Sequence, residues 1–299
     1  MMKQAKAGKT RFFWYVLYGV LLTFGLLYYL FPSDAFKDYL QANAREHCPG
    51  YLLLIEKVRP SFPIGLKLYD TGVSIEKKPD KTIFTADSIV VRPLLWSFLR
   101  GISRYSFDGL AYGGYIKGHV DFTEETANTP LETSMELGDV HIGDWAYISG
   151  LIGSNVKGTL GGTLAFNGQS NQLISGTGEA NLKITGGRIE FSRPLMTLKS
   201  IDFDDLWIKL ALKRRKIHLT RVELKGQEIQ GVLSGTITLR KDFGKSRLNL
   251  KGTVEPFSSL FDGGGSAPKG AGLFAKFLKR GKFSFVISGT IEKPRMRFV

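Results

Sequence analysis

The feature that most constrains the fold is a regular alternation of apolar and polar residues in the second half of the chain. Leu206 and Ile208 share one side of an extended strand, and Lys209 lies on the other side. The same period of two recurs in three further stretches, at residues 180–185, 248–251 and 282–288. Such alternation is typical of antiparallel strands with one face packed and the other in water. The sequence therefore predicts an antiparallel sheet with a single apolar face.

Composition agrees with a mainly β chain that turns often. The 299 residues include 35 glycines and 21 phenylalanines, without long low-complexity tracts. The sequence predicts short connections at residues 185–187, 213–216 and 242–245, and a hairpin turn at Thr71-Gly72. It predicts short helices at residues 33–45, 93–101 and 144–153.

A Ser-Gly-Thr triplet recurs inside the expected strands, at residues 175–177, 234–236 and 288–290. The alternation places Gly235 and Gly289 on the apolar side, while Thr236 and Thr290 fall on the polar side. Two interpretations remain open. Glycine allows a long sheet to bend around its own core, or a row of glycines thins the apolar face and leaves a trough for a lipid chain.

The N-terminal stretch at residues 12–31 contains no charged residue and ends before Pro32. A helix of this length, at about 1.5 Å per residue, would cross the hydrocarbon of a bilayer. Basic residues precede it, so we expect the N-terminus in the cytoplasm and the rest of the chain outside. The residues expected to mark this transmembrane helix are Phe12, Trp14, Tyr15, Leu22, Tyr28 and Phe31. A cleaved signal peptide is the alternative, but the stretch is long and lacks an A-x-A site.

The net charge indicates which classes of partner to expect. The net charge is +14, which favours anionic partners, and the expected exterior location argues against nucleic acid.

Cys48 is the single cysteine, so no intramolecular disulfide can form. A glycine-rich segment at residues 262–272 is expected to be a flexible insert.

No catalytic or metal-binding pattern is recognisable, and we expect no cofactor and no enzyme activity. The four histidines are scattered, at His47, His119, His141 and His218. Asp202 and Asp204 share a strand face and could hold calcium, although a solvated outer face is the simpler interpretation. The basic residues 213–216 indicate a solvated turn or a contact with acidic lipid headgroups. Residues 273–281 form a basic amphipathic stretch that would cover the sheet or lie on a membrane.

Several stretches resemble known envelope proteins. An N-terminal apolar segment followed by "GLKLYDTGVSIEK", "ADSIVVRPLLWSFLRG" and "LAYGGYIKGHVDF" resembles the type II secretion system protein N family. Farther on, "ITGGRIEF" and "VISGTIEKPRMRF" resemble the broader AsmA-like group of bacterial envelope proteins. The resemblance implies a cytoplasmic basic tail at residues 1–11, an inner-membrane anchor at 12–31 and a periplasmic domain at 32–299. This domain is expected to be a long curled antiparallel sheet, a taco-like β-groove with a few short helices.

The resemblance also implies a function. The expected role is non-enzymatic, assisting type II secretion or envelope assembly, with secretion-system proteins and a phospholipid in the groove as candidate partners. The alternative is a phospholipid-transfer module of the AsmA-like kind that acts independently of secretion. The residues expected to face the groove and contact lipid are Leu164, Phe166, Leu182, Ile184, Ile208, Leu210, Leu233, Gly235, Ile237, Phe283, Phe285 and Gly289.

Overall fold

A computed structural model describes residues 4–48, 50–99, 101–122, 130–152, 154–169, 174–195, 198–227, 229–240, 242–256 and 282–299. The helices are α1 (Gln4–Tyr29), α2 (Ser33–His47), α3 (Leu95–Phe98) and α4 (Ala146–Ile152), with a 3₁₀ turn at Ile142–Asp144 before α4. The strands are β1 (Tyr51–Pro60), β2 (Leu66–Ile75), β3 (Lys78–Pro93), β4 (Ser103–Ala111), β5 (Gly114–Phe122), β6 (Pro130–His141), β7 (Ser154–Gln169), β8 (Thr177–Leu195), β9 (Leu198–Lys213), β10 (Lys216–Lys225), β11 (Ile229–Thr238), β12 (Arg247–Pro256), β13 (Phe283–Thr290) and β14 (Pro294–Phe298).

All of these strands form one antiparallel sheet in chain order. Each strand pairs with the strands before and after it, from β1 at one edge to β14 at the other. The expectation of a mainly β chain with a long antiparallel sheet and few helices is confirmed. The short helices expected after residue 32 are also present, as α2, α3 and α4.

The expected transmembrane helix is wrong. Within the residues that the structure describes, no helix combines the length and the apolar character needed to cross a membrane. Residues 12–29 lie in α1 together with part of the expected basic tail, so this helix also contains Lys6, Lys9 and Arg11. The residues predicted to lie in the membrane were Phe12, Trp14, Tyr15, Leu22, Tyr28 and Phe31. Phe31 follows α1 and stacks on Phe36 of α2, with 4.7 Å between the ring centroids.

Two of the expected turns lie inside strands. Thr71-Gly72 belongs to β2, which continues to Ile75, and residues 185–187 belong to β8. In both places a residue with positive φ, Asp70 or Gly186, bends the strand without reversing it. The turn at residues 213–216 is confirmed: Arg214 and Arg215, both with positive φ, connect β9 to β10.

Helices cover one face of the sheet at two places. Near its first edge, Ile55, Val58 and Leu68 form a buried cluster to which Leu40 of α2 is added. At the middle, Val140, Ile142, Val156, Leu160, Ile184 and Phe203 form a second cluster, with Trp145 and Ile148 packed against it. Burial of these side chains supplies most of the free energy that holds the helices on the sheet.

Trp145 joins the middle of the chain to an early strand. Its indole Nε1 donates a hydrogen bond to the carbonyl oxygen of Ile83 in β3, at 2.6 Å. The ring stacks on Tyr112, with centroids 5.2 Å apart, and meets the edge of Phe84. In turn, the hydroxyl of Tyr112 accepts a hydrogen bond from the backbone N–H of Thr85, at 2.8 Å. These contacts draw together parts of the sheet that are separated by several strands.

Candidate functional site

The residues predicted to face a groove lie in continuous rows across the strands. In one row, Leu182 pairs with Ile208 of β9, and the pairing continues through Val222 to Leu233 and on to Gly252. The row ends at Phe285 and Phe298 in β13 and β14. Directly cross-strand residues of an antiparallel pair point to the same face. The backbone register therefore places these side chains on one side of the sheet.

The remaining predicted residues fall in three parallel rows on the same face. A row through Leu210 contains Leu164, Ala180, Leu219, Gly235, Leu250 and Ile287. A row through Ile237 contains Phe166, Gly178, Leu212, Ile217, Leu248 and Gly289. A row through Ile184 contains Leu160, Leu206, Leu224, Gly231, Val254 and Phe283. We call these four rows the apolar face. The structure thus brings together all twelve residues predicted from the sequence.

The apolar face is only partly covered. Ile184 and Phe283 are buried, at 6% and 8% exposure. The other ten predicted residues keep intermediate exposure, including Leu210, Leu233 and Phe285. Among the described residues, no helix packs extensively on β10 to β14, in contrast to α2 on β1 and α4 on β7. The last five of the fourteen strands therefore present apolar side chains without a described covering layer.

The opposite face is polar and carries its own ion pairs. Lys183 in β8 lies 4.4 Å from the ring centroid of Trp207 and 2.7 Å from the carboxylate of Asp205. Val232 is a large apolar residue on this side, and it is 50% exposed. The two faces differ in the way that the alternation predicted, and the polar one is well suited to water.

The glycines of the apolar face are in close contact with neighbouring strands and do not leave empty space beside them. Gly252 lies under the ring of its cross-strand partner Phe285, so the space it leaves is already filled. Gly235 has a φ of +138°, and a Cβ there would come within 2.8 Å of the Cα of Leu250 in β12. Both observations favour the structural interpretation, in which glycine permits local backbone geometry and close packing. They do not support a trough made by missing side chains.

In the aspartate cluster considered for calcium, Asp202 and Asp205 each pair with a basic residue. Asp202, which could have held calcium, accepts hydrogen bonds from Arg188 at 2.5 and 2.8 Å. This hydrogen bonding lowers the pKa of Asp202, because the guanidinium favours the charged carboxylate. No group of His, Cys, Asp and Glu suited to a metal ion occurs within the described ranges. The insert at 262–272 and the amphipathic stretch at 273–281 lie outside the described residues.

Leu219, a residue of the apolar face, was not predicted from the sequence. Leu219 lies in a central row, but β10 shifts register between Leu219 and Val222, so a single period of two cannot connect them. The signal was the local sequence "IHLTRVEL", in which two polar residues, Thr220 and Arg221, stand between apolar ones. Such a doubled polar step is typical of a β-bulge.

Comparison with protein-family models, with curated proteins and with solved structures gives no match for this chain.

Proposed function

We propose that this chain is a non-enzymatic protein of the bacterial cell envelope that binds an acyl chain of a phospholipid on its apolar face. One observation carries the proposal: four apolar rows cross the sheet in register, and ten of the twelve predicted residues keep intermediate exposure. The rows cross seven strand spacings from β7 to β14, so the apolar face extends about 34 Å across the strands at roughly 4.8 Å per spacing. Each methylene that is fully buried by such contacts contributes up to about 0.8 kcal/mol.

The resemblance to the type II secretion system protein N family supports a role at the envelope, as an accessory to secretion or to envelope assembly. The resemblance to AsmA-like proteins supports the alternative, a phospholipid-transfer module that acts without the secretion system. Both roles use the same apolar face. They differ in whether bound lipid is held or released to another membrane.

The exposed side chains of α1 support contact with lipid at a second place. Phe12, Trp14 and Leu22 are 70%, 63% and 50% exposed, although such residues favour burial. We include in the proposal that this helix associates with a lipid surface.

Binding of a fluorescent acyl-chain probe to the full chain, with competition by a phospholipid, tests the proposal. We expect saturable binding that Leu233→Gln weakens at least about fivefold, because the substitution puts an amide on the apolar face. Val232→Gln is the matched control, since it is the adjacent residue of β11 and lies on the polar face. Equal affinity of the two variants, with both folded as shown by circular dichroism, would contradict acyl-chain binding on this face.

The two envelope roles are separated by a transfer assay. The purified chain is mixed with donor vesicles that carry a labelled phospholipid and with unlabelled acceptor vesicles. Catalysed transfer that is lost in Leu233→Gln supports the transfer module. Lipid binding without transfer, together with crosslinking to secretion-system proteins in cells, supports the secretion accessory.

A further inference from the structure

A cationic cleft lies at one end of the sheet, where the β9–β10 turn, the β11–β12 connection and the end of β13 meet. The cleft has a volume of about 610 Å³. Its lining is formed by Arg215, Leu239, Arg240, Asp242, Lys245, Arg247 and Thr290. Four of these seven residues carry a positive charge and one carries a negative charge. The balance differs from that of an ordinary solvated turn, where charges of both signs alternate.

The single carboxylate does not neutralise the arginines. Asp242 pairs with Lys245, with 3.2 Å between the carboxylate oxygen and Nζ. No carboxylate among the described residues lies within ion-pair distance of the guanidinium groups of Arg215, Arg240 or Arg247. Three guanidinium groups therefore surround one cavity without a protein counter-ion in the described part of the chain. Guanidinium groups bind phosphate oxygens through paired, charge-assisted hydrogen bonds.

Backbone hydrogen bonds fix the positions from which these arginines extend. The carbonyl oxygen of Arg215, in the tight turn, accepts a hydrogen bond from the N–H of Leu239 at 2.7 Å. The N–H of Arg240 donates to the side chain of Ser246 at 3.1 Å, and Ser246 is fully buried. Arg247 begins β12 and pairs in register with Thr290. The cleft is thus built on anchored backbone, which reduces the entropy lost when a ligand binds.

The cleft borders the apolar face at Leu239. Leu239, which is 8% exposed, lines the cleft two residues after Ile237 of the apolar face. Thr290 follows Gly289 and lies, with its cross-strand partner Arg247, on the polar side, so the cleft sits at the end of the sheet where the two faces meet. An amphiphile lying on the apolar face would therefore reach the cleft with its polar end. Of the polar groups that lipids carry, phosphate has the charge and the acceptor oxygens that match three guanidinium groups.

We propose that this cleft binds a phosphate group, with Arg215, Arg240 and Arg247 as its ligands. The headgroup of a phospholipid and free phosphate share this chemistry. The headgroup case rests on the proposed function, because the acyl chain must then lie on the apolar face, whereas binding of free phosphate does not depend on it.

Isothermal titration of the full chain with three probes tests the proposal. The probes are lysophosphatidic acid and a monoacylglycerol with the same acyl chain, both below their micelle concentrations, and inorganic phosphate. For a headgroup site we expect lysophosphatidic acid to bind at least about tenfold more tightly than the monoacylglycerol, because charge-assisted hydrogen bonds are added. The double variant Arg215→Ala/Arg247→Ala should remove this difference and leave monoacylglycerol binding unchanged. Higher salt should also reduce the difference.

The matched control removes the same charge elsewhere. Lys209→Ala/Lys251→Ala changes two exposed residues of the polar face and should keep the preference for phosphate.

Binding of inorganic phosphate that is lost in the arginine variant, without any monoacylglycerol binding, would support a free-phosphate site and contradict the proposed function. Equal binding of both lipids together with no phosphate binding would overturn the cleft proposal while leaving acyl-chain binding intact. An equal loss in both double variants would also overturn it, since that indicates a general charge effect.

Discussion

Two cross-strand ion pairs of arginine and aspartate have similar geometry but different exposure to solvent. We therefore expect them to stabilise the fold by different amounts. Arg104 in β4 pairs in register with Asp121 in β5, and its Nε donates a hydrogen bond to Oδ1 at 2.6 Å. Arg188 and Asp202 form the same arrangement between β8 and β9. The Asp121 side chain is only 10% exposed, whereas that of Asp202 is 60% exposed. Because water competes less at Asp121, we expect that pair to matter more for stability.

Asp121→Asn should lower the free energy of unfolding at neutral pH, and the loss should shrink in acid. The hydrogen bond from Arg104 lowers the pKa of Asp121 in the folded protein, so the unfolded chain takes up this proton first. The stabilisation is therefore complete above the unfolded pKa of about 3.9 and disappears as the pH falls through the lower folded pKa. Urea denaturation of both proteins across this pH range measures the effect.

Asp202→Asn is the control for this prediction, since its partner arginine and its strand geometry are matched. It should change the free energy of unfolding much less than Asp121→Asn at neutral pH. A loss as large as that of Asp121→Asn would show that burial does not distinguish the two pairs.

At the scale of single strands, alternation predicted which residues share a face, and it did so for all twelve residues of the predicted groove. It failed where one backbone residue departs from the extended conformation. Asp70 has a φ of 45°, and β2 bends at the expected hairpin turn and then continues. Whether a glycine or aspartate reverses the chain or only bends it depends on the neighbouring strands, because their length decides whether pairing can resume. A local pattern does not contain that information.

Gly235→Ala should destabilise the protein by about 1–3 kcal/mol, since the backbone is held at a positive φ and the new Cβ would meet β12. Thr236→Ala, at the next residue of the same strand, should cost much less. Thermal unfolding followed by circular dichroism compares them. The outcome that would contradict this reasoning is a larger loss for Thr236→Ala, which would mean that the threonine and not the glycine is fixed by its surroundings.

At the scale of the whole molecule, the sequence predicted the antiparallel arrangement but not which helices would cover it. The contact of Trp145 with Ile83 joins residues 62 positions apart, and no periodicity within either segment indicates it. The cationic cleft likewise joins two chain connections and a strand end that are distant in sequence. Only the turn at residues 213–216 gave a signal, through its run of basic residues. Features made by distant segments require the fold itself.

Hydrogen exchange should reveal a gradient along the sheet. β14 is an edge strand of five residues with mostly exposed side chains, whereas β7 to β9 are long, central and packed against the core around Val140. We expect the amides of β14 to exchange fastest among the strands and those of β7 to β9 to exchange slowest, because local opening needs fewer contacts at the edge. Mass spectrometry of exchanged peptides measures this. Uniform protection from β7 to β14 would indicate that the sheet opens as a single unit.

The strictly sequential pairing order has a consequence for how such a chain can change in evolution. Since no strand is inserted between two earlier ones, a duplicated hairpin can be added at an edge of the sheet without altering an existing pairing. Each added hairpin would lengthen the sheet by two strand spacings, or about 10 Å. Gain or loss of such units would set the distance over which the apolar rows extend. Duplication or deletion of hairpins in the gene would therefore change the width of the sheet in regular steps, while each remaining strand keeps its partners.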